Sequence, residues 1–253
     1  MKSIILCEGK TDGILISYFL IKKYGWQYKK SNKSRDYFTI DPRNEQFNLY
    51  THGTDANREV SIWSGKGISD IPRKLKSVVD RNRVERNPDD RYYRTVIFFD
   101  RDEQTEESCE ALIHSWFNHA EVTFDKVPSL GRWNNGSIEL NLKPSNRYSQ
   151  EFLCIVLPPD SNGALETFLL GCLQQKSPDD RVIVDEAKNF IDRIPLEHPY
   201  LNHKRLRQKA CMGSVLSVVS PDWVYSELET RLTQVQWENL PVASSIYQEL
   251  ERL

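Results

Sequence analysis

Apolar and polar positions along the chain follow the pattern of a sheet that is covered on both faces. Short unbroken apolar runs end at polar turns, and they are separated by segments whose apolar residues recur at helical spacing. The predicted strands are 3–7, 60–63, 95–99 and 152–157. Strands without alternation are typical of parallel sheets between two layers of helices. The pattern therefore predicts an α/β fold with a mainly parallel four-stranded sheet flanked by helices.

Helical periodicity fills the stretches between these strands and dominates after residue 160. The strand-connecting helices are predicted at about 12–23, 70–83 and 106–118, the first with Asp12 as its N-cap. Later helices are predicted at about 163–175, 179–192, 203–219, 222–235 and 242–252. We therefore expect an α/β domain over residues 1–175 and a helical C-terminal extension, 176–253, packed on it.

Two segments of the predicted α/β domain do not fit the strand–helix alternation, and we interpret them as insertions at about 28–57 and 122–148. In the first, residues 38–40 and 46–50 alternate around the turn-like residues 41–44. This arrangement predicts a small β-hairpin within the insertion.

Composition excludes several classes of protein. Lys and Arg total 34 and Asp and Glu total 36, so a net charge of −2 argues against a constitutively basic nucleic-acid coat but leaves a local basic patch open. The 5 cysteines form no CxxC pair and the histidines no HExxH pattern, which argues against thiolate or protease-type zinc sites. No apolar stretch is long enough to span a bilayer. The first apolar run is short and an acid follows it, which does not fit the apolar segment of a signal peptide. We expect a cytoplasmic protein with no membrane partner.

Three acids lie where a parallel sheet binds ligands. Glu8 follows strand 3–7, and Asp100 and Asp102 follow strand 95–99. Ligands of open α/β sheets bind at the carboxyl ends of the strands, and Mg²⁺ needs only one or two carboxylates besides water or phosphate. A metal site and a pair of solvated turns explain this pattern equally well.

Two short motifs resemble the signatures of the TOPRIM family. Residues 5–12 (ILCEGKTD) combine an apolar strand with an acid and a Gly-Lys-x-Asp turn, and residues 97–102 (IFFDRD) combine a later strand with a DxD. TOPRIM domains occur in topoisomerases, DnaG-type primases, a 5S-rRNA maturase and OLD-family nucleases. The chain is most similar to small stand-alone TOPRIM proteins related to the OLD nucleases, and the similarity covers about residues 1–175.

The resemblance implies roles for further residues. Residues 163–166 (GALE) resemble the family's helix opening, so Glu166 would belong to a second metal site, although a first-turn acid also suits the helix dipole. Lys204 or Lys209 would match a downstream catalytic lysine, although this basic run also fits a solvated helix face. Gly9 and Lys10 of the first signature would line the site, with Lys10 offsetting charge on a phosphate.

The function expected from this resemblance is metal-dependent hydrolysis of phosphodiester bonds in DNA or RNA. Glu8, Asp100 and Asp102 would hold Mg²⁺ or Mn²⁺, one or two ions with the help of Glu166. Because the chain has no Walker motif, an ATPase would be a separate partner, as in the bacterial anti-phage systems that such proteins resemble. The alternatives are a non-catalytic module that binds a nucleotide, a nucleic acid or a partner protein, and a structural protein whose acids only form turns.

Overall fold

Eight strands and eight α-helices form the described part of the chain, in a computed structural model whose described residues are 1–29, 38–141, 147–224 and 226–253. The strands are β1 (Lys2–Cys7), β2 (Trp26–Lys29), β3 (Glu45–His52), β4 (Glu59–Gly65), β5 (Tyr92–Asp100), β6 (Thr123–Phe124), β7 (Trp133–Glu139) and β8 (Arg147–Leu157). The helices are α1 (Lys10–Lys22), α2 (Ile71–Val84), α3 (Glu106–Ala120), α4 (Leu165–Lys176), α5 (Pro178–Asp192), α6 (Lys204–Val219), α7 (Leu228–Thr233) and α8 (Pro241–Ile246).

The four strands expected from the apolar runs lie side by side at the centre of one sheet. The sheet has the order β2-β3-β4-β1-β5-β8-β7-β6, and β4, β1, β5 and β8 are parallel. Ile5 pairs with Ile62 on one side and with Val96 on the other, so the central strand is bonded along both edges. The prediction of these four parallel strands is confirmed.

The prediction that the whole sheet has four strands and is mainly parallel is nevertheless wrong. In the described residues the sheet is mixed and has eight strands. β3 and β2 add antiparallel strands beside β4, and β7 and β6 add them beside β8. The two presumed insertions thus extend the sheet, because the outer edges of β4 and β8 carry backbone groups that need partners. Residues 30–37 and 142–146 of these insertions lie outside the described residues.

The hairpin predicted within the first insertion is also wrong. Residues 45–52 pair with β2 and β4, and residues 38–40 form no strand. The alternation over residues 46–49 reflects the position of β3 near the edge, where Phe47 and Leu49 are buried while Gln46 is exposed. Tyr50, which points to the opposite face, is buried as well. A periodicity of two shows that one face is buried, but it does not identify the neighbouring strand.

Helices cover both faces of the sheet, as predicted, and divide its side chains into two cores. Ile5 and Phe98 face one core with α1, α4, α5, α6 and the C-terminal residues. Ile4 and Ile97 face the other core, with α2 and α3. Alternate residues of the same strand therefore enter opposite cores, which is why the central strands are apolar at every position.

The C-terminal residues belong to the first of these cores. Trp237, Tyr247 and Leu253 are fully buried, and the Tyr247 ring stacks on Phe19 of α1 with ring centroids 4.2 Å apart. The helix predicted over 222–235 is wrong in extent, because α7 begins only at Leu228 and a separate turn follows Pro221. Likewise the helix predicted over 242–252 becomes a 3₁₀ turn after Ile246. Within the described ranges, no helix combines the length and apolar character that a membrane crossing requires.

Candidate functional site

Two acids from the sequence motifs meet at the carboxyl edge of the central sheet. Glu8 directly follows β1, Asp100 ends the neighbouring parallel strand β5, and both residues are only 4% exposed. The backbone N–H of Asp100 donates a hydrogen bond to Oε2 of Glu8, at 3.3 Å. Parallel pairing of β1 and β5 therefore places the two carboxylates beside each other.

An arginine from the C-terminal helices joins these two carboxylates. Nη2 of Arg205, in the first turn of α6, donates to Oε1 of Glu8 at 3.2 Å and to Oδ2 of Asp100 at 2.9 Å. Its side chain is 40% exposed, so the cation lies at the mouth of a site whose acids are buried. The two carboxylates thus face one shared position for a positive charge.

A third buried acid lies next to this pair. Oδ2 of Asp12 accepts a hydrogen bond from the backbone N–H of Gly9, at 2.7 Å. Gly9, and not Asp12 as predicted, is the N-cap of α1, because Asp12 lies one turn into the helix and reaches back to the free N–H. Glu8, Asp12 and Asp100 together form what we call the acidic cluster.

When all three are ionised, the acids of the acidic cluster carry more negative charge than Arg205 compensates. Burial raises the pKa of Asp100, and the charges of Asp12 and Glu8 raise this pKa further, against the lowering effect of Arg205. Burial likewise raises the pKa of Asp12, and Glu8 and Glu166 add to the effect. Uncompensated buried carboxylates favour the binding of an additional cation.

The beginning of α4 closes the other side of the cluster. The backbone N–H of Leu165 donates to Oδ1 of Asp100 at 2.9 Å, which directs the positive end of the helix towards that carboxylate. Asp102 and Gly163 exchange two backbone hydrogen bonds of 2.7 Å, with Asp102 at a φ of 51°. These contacts attach the DxD turn to the chain segment that carries Glu166.

Apart from Gly9, whose N–H donates to Asp12, the remaining residues predicted for the site lie around the acidic cluster but form no direct hydrogen bond or ion pair with its carboxylates in the described residues. Glu166 lies in the first turn of α4, near enough to Asp12 to affect its pKa, and shares a cavity of about 130 Å³ with Lys209. Lys204 forms an ion pair with Glu103, so it does not contact the acidic cluster. Gly9 and Lys10 line a cavity of about 290 Å³ with Glu8 and Arg205, and Nζ of Lys10 donates to the carbonyl oxygen of Arg43.

A buried lysine links the end of β1, which precedes Glu8, to the end of β4. Nζ of Lys74 donates to the carbonyl oxygens of Cys7 and Gly65, at 3.2 and 2.6 Å, and burial lowers its pKa. The N–H of Gly67 donates to the carbonyl oxygen of Glu8 at 3.0 Å. The backbone on both sides of Glu8 is therefore fixed by Lys74 of α2 and by Gly67 of the β4–α2 connection.

The donor chemistry of the site fits a hard divalent cation. Glu8 and Asp100 supply carboxylate oxygens, the ligands preferred by Mg²⁺ and Mn²⁺, and Mg²⁺ is commonly held by one or two carboxylates with water and substrate phosphate. The described residues contain no group of three or more His, Cys, Asp or Glu side chains already arranged around one metal position. Glu8 and Asp100 are therefore the pair that could hold a cation, and Arg205 now lies at that position.

Arg205 is a residue of this site that no sequence motif singled out. The family resemblance implied Lys204 or Lys209, and both lie with Arg205 in the run 204–209, in which four of six residues are cationic. The helical register directs Arg205 to Glu8 and Asp100 and turns Lys204 towards Glu103. Only the position of α6 beside the sheet distinguishes these neighbours.

Comparisons with known proteins give a family and one distant structure. A family model described as a protein of unknown function (DUF3226) matches residues 2–240. A crystal structure of a hypothetical protein from Pyrococcus horikoshii OT3 is 16% identical, covers 97% of this chain and 98% of that one, and has a TM-score of 0.48. No curated protein matches the chain.

Proposed function

We propose that this chain, which belongs to the DUF3226 family of proteins of unknown function, is a divalent-metal-dependent phosphodiesterase that cleaves DNA or RNA. One observation carries the proposal: two buried carboxylates, Glu8 and Asp100, converge at the carboxyl ends of adjacent parallel strands and share one position for a cation. That edge is the ligand-binding edge of open α/β sheets.

Glu8 and Asp100 would hold a first Mg²⁺ or Mn²⁺ ion, with Asp102 beside them and Glu166 available to a second. When bound, such a cation supplies Lewis-acid stabilisation of negative charge on a phosphoryl oxygen and activates water. The raised pKa values of Asp12 and Asp100 support this assignment, because a divalent cation offsets the repulsion between carboxylates that burial intensifies.

Cationic side chains at the mouth of the site would bind the substrate. Lys10 and Arg205 line the same cavity as Glu8, and both side chains can donate hydrogen bonds to phosphate oxygens. Arg205 is also able to offset charge that develops on the phosphate during cleavage. Glu8 itself is kept in position by the bonds of its carbonyl oxygen to Gly67 and of its carboxylate to Asp100.

The proposal includes a TOPRIM-like arrangement of the central strands. An acid after β1 and a DxD after β5 are the two motifs that resemble that family, and the pairing of β1 with β5 supports treating them as parts of one site. The OLD-nuclease relationship, a separate ATPase subunit and a role in anti-phage defence belong to the proposal through this resemblance alone.

Arg205 favours a second candidate, a non-catalytic binding module. Its guanidinium already forms ion pairs with Glu8 and Asp100, so the folded site has a charge partner without a metal ion. In such a module, Lys10 and Arg205 would bind a phosphate group that is never cleaved.

The deciding experiment incubates the purified chain with labelled single- and double-stranded DNA and RNA in Mg²⁺, Mn²⁺ or EDTA. We expect cleavage of at least one substrate that requires the cation. Asp100→Asn removes one ligand charge and should reduce the rate by about a hundredfold or more. Asp179→Asn makes the same change at an exposed position on α5 and should leave the rate unchanged.

Two results would contradict this function. Nucleic-acid binding without cleavage in either metal would favour the binding module. Cleavage that proceeds at the wild-type rate in Asp100→Asn would place the reaction outside the acidic cluster.

A further inference from the structure

A further cavity, of about 400 Å³, lies among α4, α5 and α6, and none of the three acids of the acidic cluster lines it. This volume is in the range of cavities that bind small organic ligands. Each of the three helices contributes both apolar and polar side chains to its wall. The cavity therefore has the size and mixed chemistry of a binding site for an amphipathic molecule.

Positive charge at this cavity is incompletely neutralised. Nζ of Lys188 donates to the amide oxygen Oε1 of Gln174 at 3.1 Å, and Nη2 of Arg207 donates to the backbone carbonyls of Ile191 and Ile194. These acceptors are neutral. The carboxylate of Asp192 lies 3.9 Å from Arg207 but is 78% exposed, so water screens this ion pair. The cationic side chains thus favour an anionic group in the cavity.

The rest of the wall suits a flat, largely apolar body with polar edges. Leu170, Ile191 and Cys211 are buried apolar side chains on three different helices. The amide of Gln174 is engaged by Lys188 at its oxygen and by Asp185 at its nitrogen. Gln208 donates from Nε2 to Thr167, and the acceptor of its amide can pair with the edge of a nucleobase. At Gly171 a Cβ atom would meet no other atom within 4 Å, so the cavity extends to the helix backbone.

We propose that this cavity binds a nucleoside monophosphate, with the phosphate near Lys188 and Arg207 and the base between the apolar side chains and the amide of Gln208. The proposal goes beyond the phosphodiesterase function and does not depend on it. The ligand would also contact the helices that form the acidic site. Nε2 of Gln208 on α6 donates to Oγ1 of Thr167 on α4 at 2.9 Å, and these helices also supply Arg205 and the N–H of Leu165 to Asp100.

The experiment is isothermal titration calorimetry of the full chain with adenosine monophosphate, in EDTA so that no metal site takes part. We expect binding to the wild type with a dissociation constant below about 1 mM. Gly171→Leu fills the cavity from a helix position with open space and should weaken binding at least about tenfold. Lys188→Gln removes a charge and should weaken it by about tenfold, in a variant that keeps the cavity open.

Gly213→Leu is the matched control. Gly213 lies in α6 and also has open space at its Cβ position, but it lines the separate cavity near Glu166, so binding of adenosine monophosphate should not change. Absence of binding to the wild type at about 1 mM, or equal binding by Gly171→Leu, would overturn the proposal. Inorganic phosphate that binds as tightly as the nucleotide would also overturn it, because the base would then contribute nothing.

Discussion

Arg205 is the residue that most affects how the acidic cluster is interpreted. Its guanidinium lies at the mouth of the site and donates to two carboxylates that are themselves almost completely buried. A divalent cation held by Glu8 and Asp100 would compete with the guanidinium for the same oxygens. Arg205 would then be released to contact the phosphate of a substrate.

This competition predicts opposite effects of Arg205→Gln on metal binding and on cleavage. Loss of the guanidinium removes the competing cation, so affinity for Mn²⁺ without substrate should rise by about tenfold. The cleavage rate should fall by about a hundredfold, because a group that stabilises charge on the phosphate is lost. Titration calorimetry with Mn²⁺ and single-turnover kinetics measure the two effects.

Lys204→Gln provides the comparison, since it removes the same charge from the adjacent residue, whose partner is Glu103. Metal affinity should be unchanged in that variant. An Arg205→Gln protein with wild-type affinity for Mn²⁺ would show that the guanidinium and the metal do not compete.

At this scale the sequence predicted the acids better than the cation. Glu8 and Asp100 were identifiable because a residue that directly follows a buried strand has a defined position at the edge of the sheet. Arg205 could not be identified from the sequence, because its position depends on how α6 packs beside the sheet. It lies about 100 residues further along the chain than Asp100. A long-range packing geometry of this kind leaves no local pattern in the sequence.

The connection from β4 to α2 is the element that constrains the site most closely. Gly65, Lys66 and Gly67 all have positive φ, at 107°, 68° and 78°. A Cβ atom on Gly65 would collide with the carbonyl oxygen of Asn44, whereas one on Gly67 would meet open space. The two glycines thus share a backbone requirement but differ in steric environment.

We expect Gly65→Ala and Gly67→Ala to destabilise the protein unequally. Gly67 combines a φ of 78° with a ψ of 177°, a conformation that costs a residue with a Cβ about 1–3 kcal/mol, so Gly67→Ala should lower the free energy of unfolding by that amount. Gly65→Ala adds the collision with Asn44 and should cost about 1–3 kcal/mol more. Urea denaturation of both variants measures the difference, and equal losses would show that the Asn44 segment moves away without cost.

Among the elements, the central strands and most of β3 were predictable, whereas β2, β6 and β7 were not. β1, β4, β5 and β8 bury side chains on both faces over most of their length, which produces an apolar run that identifies a strand without knowledge of its partners. β2 and β6 have only 4 and 2 residues, too few to show a period. Their strand conformation comes from pairing with neighbours that are distant in sequence or separated by turns.

Over the whole molecule, the C-terminal residues complete the core that lies behind the acidic cluster. The ring of Tyr247 is fully buried, stacks on Phe19 and lies 5.6 Å from the ring of Phe98 on β5. Its hydroxyl is buried with no hydrogen-bond partner among the described residues. The aromatic ring should therefore stabilise the fold while the hydroxyl contributes nothing favourable.

Two substitutions at Tyr247 separate these contributions. Tyr247→Ala leaves a cavity between α1 and the sheet and should lower the free energy of unfolding by about 3–5 kcal/mol. Tyr247→Phe keeps the stacked ring, removes the unpaired hydroxyl and should leave stability equal or raise it by about 1 kcal/mol. Chemical denaturation measures both, and a large loss in Tyr247→Phe would show that the hydroxyl has a partner.

The outermost strands of the sheet affect whether copies of the chain can pair edge to edge and aggregate. A long, flat edge strand offers free N–H and C=O groups to a neighbouring molecule and promotes growth of intermolecular sheets. Among the described residues the sheet ends in β6, with 2 residues, and β2, with 4 residues that include the charged Lys29. The same short strands that leave little trace in the sequence thus protect a wide, strongly hydrophobic sheet from edge-to-edge aggregation.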